Sequence, residues 1–201
     1  MEPWETTVLA CWARGQDRSA VGPGPLEEHL AHAKALAAHF RPDEASGLDV
    51  GTGAGVPGLA LAGYLPEMRW VLLDAARRRI VVVQEAIDAL GWNDRVTAVH
   101  GRAEDRRLLP PRSFDVVVAR LFGPPAVTAE CAAPLVRHGG RVLVTEPPDA
   151  EARWSTDGLA PLGLSLGERS ASPSMQELRA TGDPETRFPR KAGVARKRPL
   201  W

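Results

Sequence analysis

Cysteine is almost missing from this chain. Cys11 and Cys131 are the only two, too few for a disulfide framework and too far apart for a Cys-x-x-Cys motif. A disulfide-stapled secreted fold and a thiolate metal cluster are therefore excluded, and a reducing cytosol is the expected setting. Long apolar runs are missing as well: nowhere do about eighteen apolar residues follow one another. The opening stretch MEPWETTVLACWARG places acidic residues ahead of its short apolar run, unlike a secretory signal. Neither a signal peptide nor a membrane span is expected, and the expected localisation is cytoplasmic. No internal repeat is visible. At 201 residues, 44% hydrophobic, the chain can bury one full core but has no room for a second large domain.

Net charge is also absent, with 25 basic and 25 acidic residues, but the balance is uneven along the chain. RFPRKAGVARKR, residues 187–198, holds six basic residues and no acidic one, so the rest carries 19 basic against 25 acidic. A basic tail on a slightly acidic body is the footprint expected for a polyanionic partner such as nucleic acid. The competing role is a solvated, loose chain end.

What is present is a change of hydrophobic period. Leu26, Leu30, Ala33, Ala37 and Phe40 recur at helical spacing after a turn at Gly22–Pro25. From residue 45 onward, short apolar runs at 47–50, 70–73, 95–99, 114–119 and 140–145 alternate with helical segments near 56–64, 76–90 and 126–136. That alternation predicts a parallel sheet with crossover helices, Gly91 stopping one of them. LGLSLGE (162–168) and MQELRAT (175–181) add two strands joined by a turn at Ser172–Pro173. The expected fold is α/β, a doubly wound, mostly parallel sheet of seven strands whose last strands form a hairpin. Residues 1–44 form a helical cap, 45–186 the core and 187–201 the basic tail, all in one domain. Ligands of such sheets lie beyond the carboxyl ends of the strands.

LDVGTGAGVPG, residues 48–58, follows the first strand. Gly51, Gly53 and Gly55 permit a tight turn and close approach of backbone to ligand, and Pro57 suits the first turn of the next helix. Glycine spacing alone is a weak signal. Asp74, ending the next strand 19 positions after Gly55, strengthens it, because a carboxylate there accepts both ribose hydroxyl protons. Its competing role is to cap the helix that begins at Ala75–Ala76. Asp49 sits two residues before the first glycine, where it faces a cationic ligand or orients the loop. A pyrophosphate gains nothing from that carboxylate, and no Gly-Lys-Ser/Thr ending supplies a phosphate loop. LDVGTGAG with Asp74 downstream resembles the class I S-adenosylmethionine-dependent methyltransferases.

Further motifs narrow the resemblance. LDVGTGAGVPGLALA, the helix AARRRIVVVQEAIDALG, GRAED (101–105), FDVVVAR (114–120) and the closing RFPRKAGVARKRPL, taken in order, resemble the bacterial family that methylates nitrogen 7 of a guanosine in 16S ribosomal RNA, often called glucose-inhibited division protein B. The resemblance runs over about residues 25–200. It implies that S-adenosylmethionine is the cofactor, with Asp49, Gly51, Gly53 and Gly55 at its methionine part, Asp74 at the ribose and Ala103–Glu104 at the adenine rim. It implies that Arg120 lies beside the cofactor and the target base as the catalytic residue. Arg187, Arg190, Lys191 and Arg198 would meet phosphates of 16S rRNA or the small ribosomal subunit. No metal, no membrane and nothing beyond a monomer are implied.

The chemistry suits these residues. Nitrogen 7 carries an in-plane lone pair and no hydrogen, so it attacks a sulfonium methyl without a general base. Holding donor and acceptor in line is then the main task. The chain has no Asn-Pro-Pro-Tyr clamp after the fourth strand, and TEPPD (145–149) reads as a turn after the fifth. Arg77, Arg78 and Arg79 open a helix whose dipole disfavours them. With Arg102, Arg106, Arg107 and Arg120 they make either a phosphate-facing rim or ordinary surface ion pairs. His29, His32 and His39 share one helix without a completing metal ligand, so packing is their expected role.

Three departures from the family pattern stand out. The lead-in before Asp49 is short, Glu28–His29 replaces an Arg-His pair, and Glu146 replaces a lysine after the fifth strand. If either glutamate meets a phosphate, polyanion binding weakens. Two alternatives therefore stand beside the rRNA enzyme: a diverged methyltransferase acting on a small molecule from an apolar pocket, and a non-catalytic RNA- or ribosome-binding protein that keeps the fold.

Overall fold

The computed structural model describes residues 2–17, 21, 24–147 and 153–201. Gly22 and Pro23 of the expected turn, and Pro148 and Asp149 of TEPPD, lie outside them. The chain divides into two compact units, residues 1–101 and 102–201.

The first unit begins with α1 (Pro3–Asp17), a helix that the apolar run MEPWETTVLACWARG did not by itself announce. Val8, Cys11 and Trp12 are buried at helical spacing, and this face packs on α4 (Arg77–Leu90). Trp4 stands edge-on to Tyr64, 4.8 Å between centroids, and the Tyr64 hydroxyl donates to Glu5 Oε1 at 2.8 Å. Next comes α2 (Leu26–Ala37), whose buried face is Leu30, Ala33 and Leu36. The expected face thus turns slightly, toward Leu36 and away from Ala37.

Three parallel strands follow, β1 (Ser46–Val50), β2 (Arg69–Asp74) and β3 (Val96–His100), in the order β3-β2-β1. β1 and β2 are buried along most of their length, and β2 carries the apolar run Trp70–Leu73 between Arg69 and Asp74. Helix α3 (Gly58–Tyr64) starts one residue after Pro57, which occupies the N-cap instead of the first turn. In α4, Gly91 takes the left-handed conformation (φ 67°), and the Trp92 N–H reaches the Ile87 carbonyl at 3.1 Å. That closure stops the helix where the sequence predicts.

The second unit carries β4 (Phe114–Ala119), α5 (Pro125–Ala132), β5 (Val136–Thr145), α6 (Thr156–Leu159), β6 (Leu164–Ala171), β7 (Ser174–Ala180) and α7 (Val194–Lys197). β4 runs parallel to β5, and β7 lies antiparallel between β5 and β6. The expected helix 126–136 ends at Ala132, because Pro134 cannot donate to a continuing helix. β5 accordingly begins at Val136, earlier than expected, with an irregularity opposite Phe114 and Val116. The turn between β6 and β7 falls at Ser172–Pro173 as predicted.

The C-terminal stretch is docked within its unit. Phe188 and Ala195 are buried, α7 packs on α5, and the Trp201 indole donates to the Arg153 carbonyl at 3.1 Å. No helix among the described residues is long and apolar enough to cross a membrane.

Candidate functional site

The glycine loop leaves the carboxyl end of β1 and is hung from the next strand: the Gly51 and Thr52 N–H groups both donate to the Leu73 carbonyl, at 2.8 and 2.9 Å. Gly51, Gly53 and Gly55 all have positive φ (75°, 61° and 91°), a conformation that side chains resist. At Gly55 a β-carbon would also strike Leu59 of α3. The loop therefore presents backbone, with no side chain at its three turning points.

Two carboxylates hold this loop. Asp49 is 1% exposed; its Oδ2 accepts from the Thr52 hydroxyl at 2.7 Å and from the Gly58 N–H at 2.9 Å. It spans the loop from start to finish, which is the orienting role foreseen as one of its two possibilities. Asp74, 5% exposed, closes β2. Its Oδ1 accepts from the Ala76 N–H at 2.8 Å, and its Oδ2 from the Gly53 N–H at 3.0 Å and the Arg79 guanidinium at 3.4 Å. The bond to Ala76 is a turn ahead of α4, whose N-cap is Ala76 without a side-chain cap, so Asp74 braces the loop and the turn and does not cap the helix. Two carboxylate oxygens offer about four acceptor positions, and the longest of the three contacts is the one to Arg79. A backbone-lined turn beside a strand-end carboxylate fits the ribose and amino-acid portions of S-adenosylmethionine.

In the second unit, Ala103 is buried and Glu104 half-buried, its Oε1 accepting from the Gly193 N–H at 3.1 Å. Sequence reasoning assigned only the backbone here and missed this link to the C-terminal stretch. Arg120 follows β4 directly and is half-buried.

The arginines separate into two groups. Arg79 pairs with Asp74, Arg107 with Asp105, and Arg106 donates to the Thr186 and Pro189 carbonyls at 2.9 and 3.1 Å. These are structural pairs. Arg77, Arg78 and Arg102 are exposed.

Arg190 needs correction. Expected at RNA phosphates, it instead grips Glu130, a fully buried carboxylate of α5: its Nε lies 2.9 and 3.0 Å from the two carboxylate oxygens, and its backbone N–H donates to Oε1 at 2.9 Å. Those hydrogen bonds push the guanidinium pKa further up. An acid set in the apolar run AVTAECAA demanded such a partner, and that lone Glu130 was the signal to read. Arg187, paired with Glu185 at 2.8 Å, and Lys191 and Arg198 are exposed.

Glu146 also differs from expectation. Its carboxylate is 3% exposed, accepts from the Trp154 indole at 2.9 Å and lies 3.5 Å from Arg153. The charge is compensated inside its own unit. Glu28 is exposed in the first turn of α2, where an acid suits the helix dipole.

Burial pushes the Cys11 thiol up to about 11 and raises that of Cys131, so neither offers a thiolate at neutral pH. His29 stands edge-on to Trp12, 6.4 Å between centroids. Among the described residues no group of three or more His, Cys, Asp or Glu could hold a metal ion. A mainly apolar cavity of about 360 Å³ also lies in the second unit, lined among others by Ala103, Leu109, Arg112, Leu135 and Phe188.

Residues 24–158 match the family model described as GidB, rRNA small subunit methyltransferase G. A ribosomal RNA small subunit methyltransferase G from Frankia alni is 33% identical over 188 residues, covering 87% of this chain and 71% of the relative. One of the same description from Pelotomaculum thermopropionicum is 35% identical over 170 residues, covering 79% and 71%.

Among solved structures, an O-methyltransferase family protein from Burkholderia thailandensis superposes with a TM-score of 0.59 at 16% identity, over 77% of this chain and 57% of that one. A SAM-dependent methyltransferase from Aquifex aeolicus gives 0.57 at 17%, over 77% and 92%. The chain spans little more than half of the Burkholderia protein. At such identities the likeness shows the fold: the doubly wound, seven-stranded class I methyltransferase architecture.

Proposed function

This chain belongs to the rRNA small subunit methyltransferase G family, and we infer that it transfers the methyl group of S-adenosylmethionine to nitrogen 7 of a guanosine in 16S ribosomal RNA, acting as a monomer in the cytoplasm. The observation that carries this reading is the backbone-lined glycine loop tied to Asp74. It combines the steric room and the ribose acceptor that this cofactor needs.

When bound, the cofactor supplies a methyl on a cationic sulfur. Gly51, Gly53 and Gly55 give its methionine part access to backbone, Asp49 keeps that backbone in shape, and Asp74 accepts from the ribose hydroxyls as the Arg79 contact yields. Ala103 and Glu104 border the adenine through their backbone groups. Arg120 contacts the target base. An arginine bound to both O6 and N7 of guanine would cover the attacking lone pair, so Arg120 must use O6 or the adjoining phosphate and leave N7 open. No residue is needed as a base.

Arg187, Lys191 and Arg198 meet RNA phosphates. Replacing the three together by serine is expected to weaken binding to small subunits most at low salt and to flatten the log–log salt dependence by about two units, since each lost phosphate contact removes about 0.7–0.9. Filter binding across a salt series checks this. An unchanged slope assigns the RNA contact elsewhere.

The cavity of about 360 Å³ favours a second reading, a methyltransferase acting on a small apolar molecule. Against it stand the buried, compensated Glu146, which removes one source of repulsion toward RNA, and the exposed cations of the C-terminal stretch. Methyl transfer to 16S rRNA decides between the two.

A further inference from the structure

Among the described residues other than glycine, only Arg112 (φ 54°) and Leu121 (φ 53°) hold a left-handed backbone. This conformation is strained for side chains with a β-carbon and persists only where the surroundings enforce it. Arg112 shows what it gains: its N–H donates to the Pro134 carbonyl at 2.9 Å, and its guanidinium reaches the Gly182 carbonyl at 3.3 Å and the Asp183 carboxylate. Leu121 shows no comparable gain within the fold. Leu121 is 84% exposed, so an apolar group is held in water by an unfavourable backbone.

The segment carrying it is well braced. Ala119 ends β4, and Pro124 and Pro125 fix the entry to α5, where the Thr128 hydroxyl donates to the Gly123 carbonyl at 3.2 Å. Leu121 is thus a preset apolar prong at the carboxyl end of a strand, next in sequence to Arg120. That is the end of an α/β strand where ligands bind.

We propose that Leu121 is a substrate-contacting wedge: it fills the gap left in the RNA stack when the target guanosine turns outward to present N7. The inference rests on the rRNA reading above. Enzymes that modify a base act on single strands or draw the base out of its stack, and in the second case an apolar side chain inserted at the vacated step offsets the lost stacking. Leu121 recovers the burial it lacks in the free protein only when RNA is bound, and a freely diffusing small substrate needs no such prong.

The test compares wild type with Leu121→Asn and Leu121→Met, using 16S rRNA or small subunits from a strain lacking this gene. Asparagine tolerates the left-handed backbone but removes the apolar contact, whereas methionine keeps an apolar side chain. Leu121→Asn should fold with an unchanged or higher melting temperature and bind S-adenosylhomocysteine within about twofold of wild type. Its kcat/KM for RNA should fall about ten- to a hundredfold, the loss expected for one leucine side chain's burial, and Leu121→Met should recover most of it. A wild-type kcat/KM in Leu121→Asn overturns the wedge while leaving the rRNA reading intact. A loss that merely follows homocysteine-analogue affinity or melting temperature overturns it too. No methyl transfer to RNA by the wild-type protein itself defeats the rRNA reading and the wedge together.

Discussion

Arg120→Ala is expected to lower methyl transfer to small subunits by about 100-fold or more while S-adenosylmethionine affinity changes only a few-fold. Loss of one well-placed donor at a reacting group commonly costs about 10²–10³ in rate. The role proposed for Arg120 suits its place: it is the first residue beyond β4, half-buried, after the buried Val116, Val117, Val118 and Ala119. A rigid strand delivers the guanidinium, so the effect of its loss should fall on alignment of the base more than on cofactor binding. Arg120→Lys should rescue little, because a point charge cannot reproduce the planar fork. Single-turnover transfer with saturating cofactor, beside calorimetry of cofactor binding, checks both halves. Turnover equal to wild type would remove Arg120 from the catalytic role.

The second large effect concerns stability. Arg190→Met should destabilise the protein by about 3 kcal/mol, because it leaves the Glu130 carboxylate buried without its cation. Glu130 is 0% exposed, and Arg190 reaches it with side chain and backbone alike. Removing both partners together, with Glu130→Met added, should restore a good part of the loss, since the remaining space is apolar. Denaturant unfolding of the single and double variants reads this as a shift in midpoint. If Arg190→Met kept wild-type stability but lost RNA affinity, the phosphate role expected from the basic motif would return.

Much of the fold was legible because burial leaves periodic traces. The strand 114–119 was bounded correctly, and Gly91 marked its helix end, since FDVVVA and the left-handed stop are local signals. Pro134 shortened α5 against expectation, although the proline was visible; the short pair Leu135–Val136 past it reads equally as helix or strand until pairing with β4 decides. Helix α1 was missed although Val8, Cys11 and Trp12 carry helical spacing.

At the candidate site, the turning glycines and the strand-end place of Asp74 were readable because both are local backbone signals. Partners of charges were not. Arg190 and Glu130 stand 60 positions apart, and Glu104 and Gly193 stand 89 apart, so composition gave the whole basic stretch to a polyanion although folding turns Arg190 inward to Glu130. Leu121 was hidden for a different reason, because a left-handed backbone at a non-glycine residue has no signature in the sequence.

Methyl transfer to guanosine is read by incubating the protein with methyl-labelled S-adenosylmethionine and small subunits, or naked 16S rRNA, from a strain lacking this gene, and then digesting the RNA to nucleosides. Labelled 7-methylguanosine is the expected product. Cofactor binding without any labelled nucleoside would contradict that expectation and direct attention to the cavity of the second unit and a small-molecule substrate.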